Sequence, residues 1–127
     1  MARSFWKGKR VLITGYEGFL GSWLTRFLLQ EGAVIVGLDI RTRRAQTVLT
    51  KRELDTITVV KGSVECLSLL DRICTRHKVE FVFHLAAEAL VGECLRDPCK
   101  AFSVNIKGTW NVLEVCRQHK GIAGCII

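Results

Sequence analysis

Gly15, Gly18 and Gly21 recur every third residue between two apolar segments. Val11, Leu12 and Ile13 precede them as a short buried strand. Leu20, Trp23, Leu24, Phe27 and Leu28 follow at the spacing of one helix face. A strand, a glycine turn and a helix in direct succession form a phosphate-binding device. The first glycine takes a turn conformation that a Cβ would strain. The second lets the backbone approach a pyrophosphate, and the third lets the helix pack closely on the strand. The helix start then offers amide N–H groups and the positive end of its dipole to an anion. Asp39 lies eighteen residues beyond Gly21, at the end of a second apolar strand. That is where a dinucleotide-binding unit keeps the acid that accepts ribose hydroxyls. The plain alternative is a glycine turn in another α/β protein, with Asp39 a solvated strand end.

The rest of the chain must supply the scaffold. The pattern predicts strands over about 10–14, 34–39, 57–61, 80–87 and 122–127. Helices are predicted over 19–31, stopped by Gly32, and over 65–77, with Leu67, Leu70, Ile73 and Cys74 on one face. A polar loop follows the fourth strand. Asp97 as N-cap and Pro98 at the first helical position then start a long helix to His119, ended near Gly121. The segment 40–55 is the least regular. A short helix over 45–54 is weakened there by Thr47 and Thr50, with Thr42 just before it. Near-continuous apolar strands alternating with helices predict a Rossmann-type doubly wound α/β sheet, in parallel order 3-2-1-4-5 with right-handed crossovers.

Composition narrows the classes. With 127 residues and 49% hydrophobic content, one domain with a real core is expected. No apolar run approaches the ~18 residues of a membrane span. Met1 to Lys9 lacks the apolar core of a secretory signal. The six cysteines include no Cys-x-x-Cys, and none pairs with a histidine at zinc-ligand spacing. The reading is reduced buried thiols, no metal and a cytoplasmic location. The net charge of +7 is scattered, with one cluster at Arg41, Arg43, Arg44, Lys51 and Arg52. A solvated surface is the first reading of that cluster and a site for a phosphorylated ligand the second. No nucleic-acid motif accompanies it.

Three motifs in order carry a resemblance. They are Trp6-Lys7-Gly8-Lys9-Arg10-Val11-Leu12-Ile13-Thr14-Gly15 with Gly18-Phe19 and Gly21-Ser22-Trp23-Leu24; His84-Leu85-Ala86-Ala87-Glu88; and the train Pro98, Phe102, Asn105, Gly108-Thr109, Asn111, Leu113-Glu114. Together they resemble the N-terminal part of an extended short-chain dehydrogenase/reductase of the NAD-dependent epimerase/dehydratase family. Within it the pattern is similar to nucleotide-sugar 4,6-dehydratases and epimerases, and the opening motif is close to that of the CDP-glucose 4,6-dehydratases. The resemblance implies that Gly15, Gly18, Phe19, Leu20 and Gly21 cradle the pyrophosphate. Asp39, with Arg41 beside it, would hold the adenosine ribose. Ser63 and Val64 would flank adenine, and Leu85, Ala86 and Ala87 would run along the cofactor toward nicotinamide. Asn105 would tie the long helix to the fourth strand, with Glu88 to Val91 near the sugar site. Each has a plainer reading. Leu85 and Val64 are core, His84 is a packed strand histidine, Asn105 satisfies buried backbone, and Glu88 is a solvated carboxylate.

The implied cofactor is NAD in preference to NADP, because Asp39 repels a 2′-phosphate, although Arg41, Arg43 and Arg44 would attract one. The implied chemistry moves a hydride from C4 of a nucleotide sugar to the cofactor and back. Two departures stand out. Ser63 occupies a position where the family has Asp. The family's Tyr-x-x-x-Lys pair has no counterpart, since the single tyrosine is Tyr16 and Leu20 stands four residues on. The expectation is therefore a dinucleotide-binding domain over 1–127, stopping within the fifth strand, without its substrate domain and without turnover. A non-catalytic regulatory module and a truncated product without function are the alternatives. The apolar content of Pro98 to His119 exceeds one stripe, so self-association through that helix is also expected.

Overall fold

The computed structural model describes residues 4–42 and 47–127. Five strands, β1 (Arg10–Thr14), β2 (Val34–Asp39), β3 (Thr58–Lys61), β4 (Phe81–His84) and β5 (Gly124–Ile126), form one parallel sheet in the order β3-β2-β1-β4-β5. Helices α1 (Phe19–Gln30), α2 (Lys51–Thr56), α3 (Leu67–His77), α4 (Val91–Arg96), α5 (Pro98–Phe102) and α6 (Gly108–Gln118) connect them.

Alternation along the strands assigns the two faces. Leu12, Val36, Leu38 and Val82 point to the side covered by α3 and α6, where Leu70, Ile73, Val112 and Val115 complete the core. Val11, Ile13, Ile35 and Phe83 point to the other side, against Tyr16, Leu28, Leu49 and Ile57. There Trp6 packs on Phe81 and Phe83, with ring centroids 5.2 and 5.8 Å apart. Gly32 ends α1 at φ +84°, a left-handed conformation suited to glycine.

Three helical elements depart from the sequence pattern. The stretch expected as a polar loop after β4 contains α4, a six-residue helix with no buried residue, so it leaves no apolar period to detect. The long helix is interrupted by a π-helical turn, Ser103–Lys107, between α5 and α6. Its first turn is as expected, with the Asp97 carboxylate accepting the Lys100 amide at 3.0 Å. The short helix α2 starts later than expected, and residues 45–46 of that expectation lie outside the described residues. Thr50 is its N-cap rather than a weakness. Its hydroxyl accepts the Glu53 amide while Glu53 accepts the Thr50 amide, a reciprocal capping box. Glu53 also pairs with Arg26 of α1 at 2.8 and 2.9 Å, which holds its carboxyl down at about 2 and joins the two helices.

Among the described residues no group of His, Cys, Asp and Glu is arranged to hold a metal, and no helix is long and apolar enough to cross a membrane. All six thiols are free. Burial pushes Cys74 and Cys116 up to about 12, so neither is a ready nucleophile.

Candidate functional site

The site lies where β1 feeds α1, between β2 and β4. Chain order runs outward in one direction from β1 through β2 and in the other through β4, which opens a crevice at the strand ends. Gly15 adopts φ +72°. Its amide donates to the Leu38 carbonyl at 2.8 Å, and its carbonyl accepts the Gly18 amide at 3.1 Å. A Cβ at Gly15 would lie 2.9 Å from the Ala86 nitrogen and 3.0 Å from the Leu85 carbonyl. The loop after β4 therefore crosses directly against the glycine turn.

Gly21 and Gly18 differ in what surrounds them. A Cβ at Gly21 would sit 2.0 Å from the Gly15 carbonyl oxygen, so the helix start is pressed onto the turn. A Cβ at Gly18 would meet only that same oxygen, at 3.3 Å, and otherwise point into open space. Gly18 is the N-cap of α1 and has no side chain to cap it. The helical ladder begins with the Ser22 amide on the Gly18 carbonyl, at 2.9 Å. The amides of Phe19, Leu20 and Gly21 thus precede the ladder, and no acidic residue sits in the first turn. Phe19 and Leu20 are exposed at the mouth of the crevice.

Asp39 ends β2 and is buried; its Oδ1 accepts the Arg41 amide at 3.1 Å, and its carbonyl accepts the Gly62 amide at 2.9 Å. Arg41 is exposed at this edge. Arg43 and Arg44 lie outside the described residues. Tyr16 is fully buried beneath the turn, where its ring covers Gly37 so closely that a Cβ there would lie 2.5 Å from it. Burial, then the nearby Glu17 and Asp39, push the Tyr16 phenol up to about 12. It is a neutral wedge that shapes the loop and has no access to a proton transfer. The three-glycine spacing gives no hint of this role. A tyrosine two residues before a glycine, with a second strand glycine opposite, is the signal that was available.

Ser63 and Val64 stand at the end of β3. The Ser63 hydroxyl donates to Glu65 Oε2 at 3.0 Å, and Ser103 Oγ donates to the other carboxylate oxygen. Ser103 foremost, with Ser63, Lys107 and Lys100, holds the Glu65 carboxyl below its ordinary range. Glu65, absent from the sequence-based set, thus places a carboxylate beside Ser63. Val64 is buried under α6: the Asn111 amide donates to its carbonyl at 3.0 Å, and a Cβ at Gly108 would lie 2.5 Å from its Cγ2.

The fourth strand stops at His84 rather than running to Ala87, because the next amides turn inward. Leu85 and Ala86 both donate to Thr14 Oγ1, at 3.1 Å each. Ala87 is exposed. Asn105, in the π-helical turn, accepts the Glu88 amide at 2.8 Å and donates to the Glu88 carbonyl at 3.0 Å. His84 is buried and bonded at both ring nitrogens, to Thr14 Oγ1 at 2.7 Å and to Thr109 Oγ1 at 3.1 Å. Burial pushes its imidazole below the ordinary 6.5. The neutral ring is the folded form, so its contribution to stability is complete above the ordinary value and is lost as pH falls through the lowered one. The expected result is a falling thermal midpoint between about pH 7 and 5, with the fall reduced in His84→Gln. Thermal unfolding of both chains across that range checks it; parallel curves would contradict it.

The parallel sheet, the closed glycine turn and the acid at the end of β2 define a dinucleotide-binding unit of the Rossmann type. The chain belongs to the NAD dependent epimerase/dehydratase family, whose sequence profile matches residues 11–124. It is 33% identical over 125 residues to a CDP-glucose 4,6-dehydratase of Salmonella typhimurium, covering 98% of this chain and 35% of that protein. Its fold matches the UDP-glucose 4-epimerase of Thermotoga maritima solved with UDP-glucose, with TM-score 0.78, 28% identity, and coverage of 91% of this chain and 36% of that one. It also matches the UDP-glucose 4-epimerase of Thermus thermophilus solved with NAD, with TM-score 0.74, 31% identity, and coverage of 87% and 34%. The chain spans about a third of the length of these relatives.

Proposed function

We propose that this chain binds NAD and forms the cofactor-holding part of a cytoplasmic enzyme acting on a nucleotide sugar, a 4,6-dehydratase or an epimerase. The observation that carries the reading is the contrast between Gly21 and Gly18. One position is closed against the turn and the other opens into the crevice, the arrangement a diphosphate needs beside a helix start. In this reading Gly15, Gly18, Phe19, Leu20 and Gly21 cradle the pyrophosphate, with Gly15 and Gly18 shaping the turn and the amides of Phe19, Leu20 and Gly21 facing the anion. Asp39 accepts the adenosine ribose hydroxyls, and Arg41 lies beside it. Ser63 and Val64 flank adenine, with the Glu65 carboxylate at hand. Leu85, Ala86 and Ala87 form the wall toward nicotinamide. Because the Leu85 and Ala86 amides are committed to Thr14, that wall offers carbonyl oxygens, which suit ligand hydroxyl and amide donors. When bound, NAD supplies a hydride acceptor that later returns the hydride. The 127 residues contain no Tyr-x-x-x-Lys pair for the accompanying proton transfer, so no turnover is expected from them alone.

The buried Asp39 carboxylate favours NAD over NADP, since a 2′-phosphate would face a like charge. Calorimetric titration with both dinucleotides tests this. Tighter binding of NAD is expected, and NADP binding about tenfold tighter would overturn the preference.

Self-association through the α5–α6 segment belongs to the same reading, on a narrower basis than its sequence suggests. Val112 and Val115 are core, and Val104 and Cys116 pack against it. The residues left outside are Phe102, Ile106, Trp110 and Leu113, all exposed. Light scattering at micromolar concentration is expected to show dimers or larger species, reduced by Trp110→Glu. A monodisperse monomer would remove this surface from the account.

A further inference from the structure

His84 is the one buried histidine and is assigned no part in the reading above, yet both its nitrogens are engaged. The hydrogens around it can be placed one by one. Thr14 Oγ1 accepts the Ala86 amide and shares the Leu85 amide with the Thr14 carbonyl, each at 3.1 Å, so it is well supplied with donors. Its own hydrogen then goes to His84 Nδ1, at 2.7 Å. Thr109 Oγ1 donates to the Asn105 carbonyl at 2.6 Å, so toward His84 it can only accept. Every one of these bonds is satisfied by a neutral ring with its proton on Nε2. The direction of every bond is fixed, from the loop amides through Thr14, His84 and Thr109 to the backbone of the π-helical turn. At the far side Asn105 of that turn grips both backbone groups of Glu88. The loop between His84 and Glu88 is thus held at its two ends by one connected network, and its middle is the wall packed against Gly15.

We propose that His84 is a positioning residue for the dinucleotide site: as a neutral Nε2–H imidazole between Thr14 and Thr109, it sets the Leu85–Glu88 loop against the glycine turn. This rests on the dinucleotide reading. A cationic ring, or the opposite tautomer, would aim an N–H at a Thr14 oxygen that already accepts the Ala86 amide and a share of the Leu85 amide. The Leu85 amide would have to give up Thr14 Oγ1 and fall back on the Thr14 carbonyl alone, which loosens this end of the loop. A histidine that only fills space would tolerate either form.

Nitrogen NMR of the imidazole in the full chain, without ligand and at about pH 7, reads the tautomer directly. An unprotonated Nδ1 and a protonated Nε2 are expected; a protonated Nδ1 overturns the proposal. NAD titration of two variants reads the positioning. Thr109→Val keeps shape but removes the acceptor, and about tenfold weaker binding is expected. Thr109→Ser restores the hydroxyl, and binding within about twofold of the unmodified chain is expected. Thr109→Val binding as tightly as the unmodified chain overturns the proposal. The tautomer measurement needs no variant, so the proposal stays refutable if Thr109→Val does not fold. An unmodified chain that fails to bind NAD brings down the dinucleotide reading itself, a failure distinct from a wrong tautomer.

Discussion

Gly18→Val is expected to weaken NAD binding by about a hundredfold or more while leaving the fold standing. The position adopts φ −66° and ψ 176°, an ordinary extended conformation that valine shares. Its Cβ would find one neighbour, the Gly15 carbonyl oxygen at 3.3 Å, a contact that small adjustments relieve. Replacing a glycine N-cap by an apolar residue costs about 1 kcal/mol. The methyl groups, however, would fill the space through which a diphosphate reaches the amides of Phe19 and Leu20. Loss of affinity with a retained unfolding transition is the expected pair of results. Calorimetry and thermal unfolding on the same preparation separate them. Gly18→Val binding NAD at full strength would mean that the crevice lies elsewhere.

Gly21→Ala is expected to do the reverse and unfold the chain. A methyl group there would stand 2.0 Å from the Gly15 carbonyl oxygen, with the Tyr16 Cα 3.0 Å away. Both obstacles are backbone, so neither can swing aside as a side chain would. Relief requires lifting α1 from the turn, which disturbs Leu28 and the buried Tyr16 beneath it. The cost is expected to exceed about 4 kcal/mol, a large share of the ~5–15 kcal/mol that holds a domain of this size. Helix propensity acts in the opposite direction, since alanine exceeds glycine by about 1 kcal/mol within a helix. A fall in stability is therefore net of that gain and understates the cost of the close contact. Urea unfolding gives the answer, and an alanine variant of unchanged midpoint would refute the packing described for the turn.

The contrast between these glycines shows what the sequence could and could not convey. Their spacing announced a tight glycine turn between a strand and a helix, and the alternation of apolar strands with helices indicated the parallel sheet, because both follow from periodicity and backbone chemistry. Gly32 and the Asp97-Pro98 pair were legible for the same reason: each marks a helix end by local conformation. Other features had no local signature. The π-helical turn interrupts a helix whose apolar period continues on both sides, and it carries Asn105, which grips Glu88 across seventeen residues of chain. Thr50 counts against a helix by propensity and in favour of one as a cap, and only its partner Glu53 decides between them. Ser63 alone suggested a missing carboxylate, whereas the fold brings Glu65 to its side with help from the distant Ser103. His84 read as a packed strand residue. Its function as a link became visible only when Thr14 and Thr109, on separate elements, were found at its two nitrogens.

The reading of the crevice as a dinucleotide site is tested most directly by mapping amide resonances of the labelled chain during NAD addition. The expected footprint covers Gly15 to Gly21, Asp39 and Arg41, Ser63 and Val64, and Leu85 to Ala87, all at the ends of β1, β2, β3 and β4. The opposite end of the sheet offers an internal control. There Arg10, Lys78, His119 and Lys120 line an open cleft of about 600 Å³ with Glu80 among them. Resonances around that cleft are expected to stay still. Shifts confined to the basic cleft, or no shifts at millimolar NAD, would contradict the assignment of the glycine turn as the binding site.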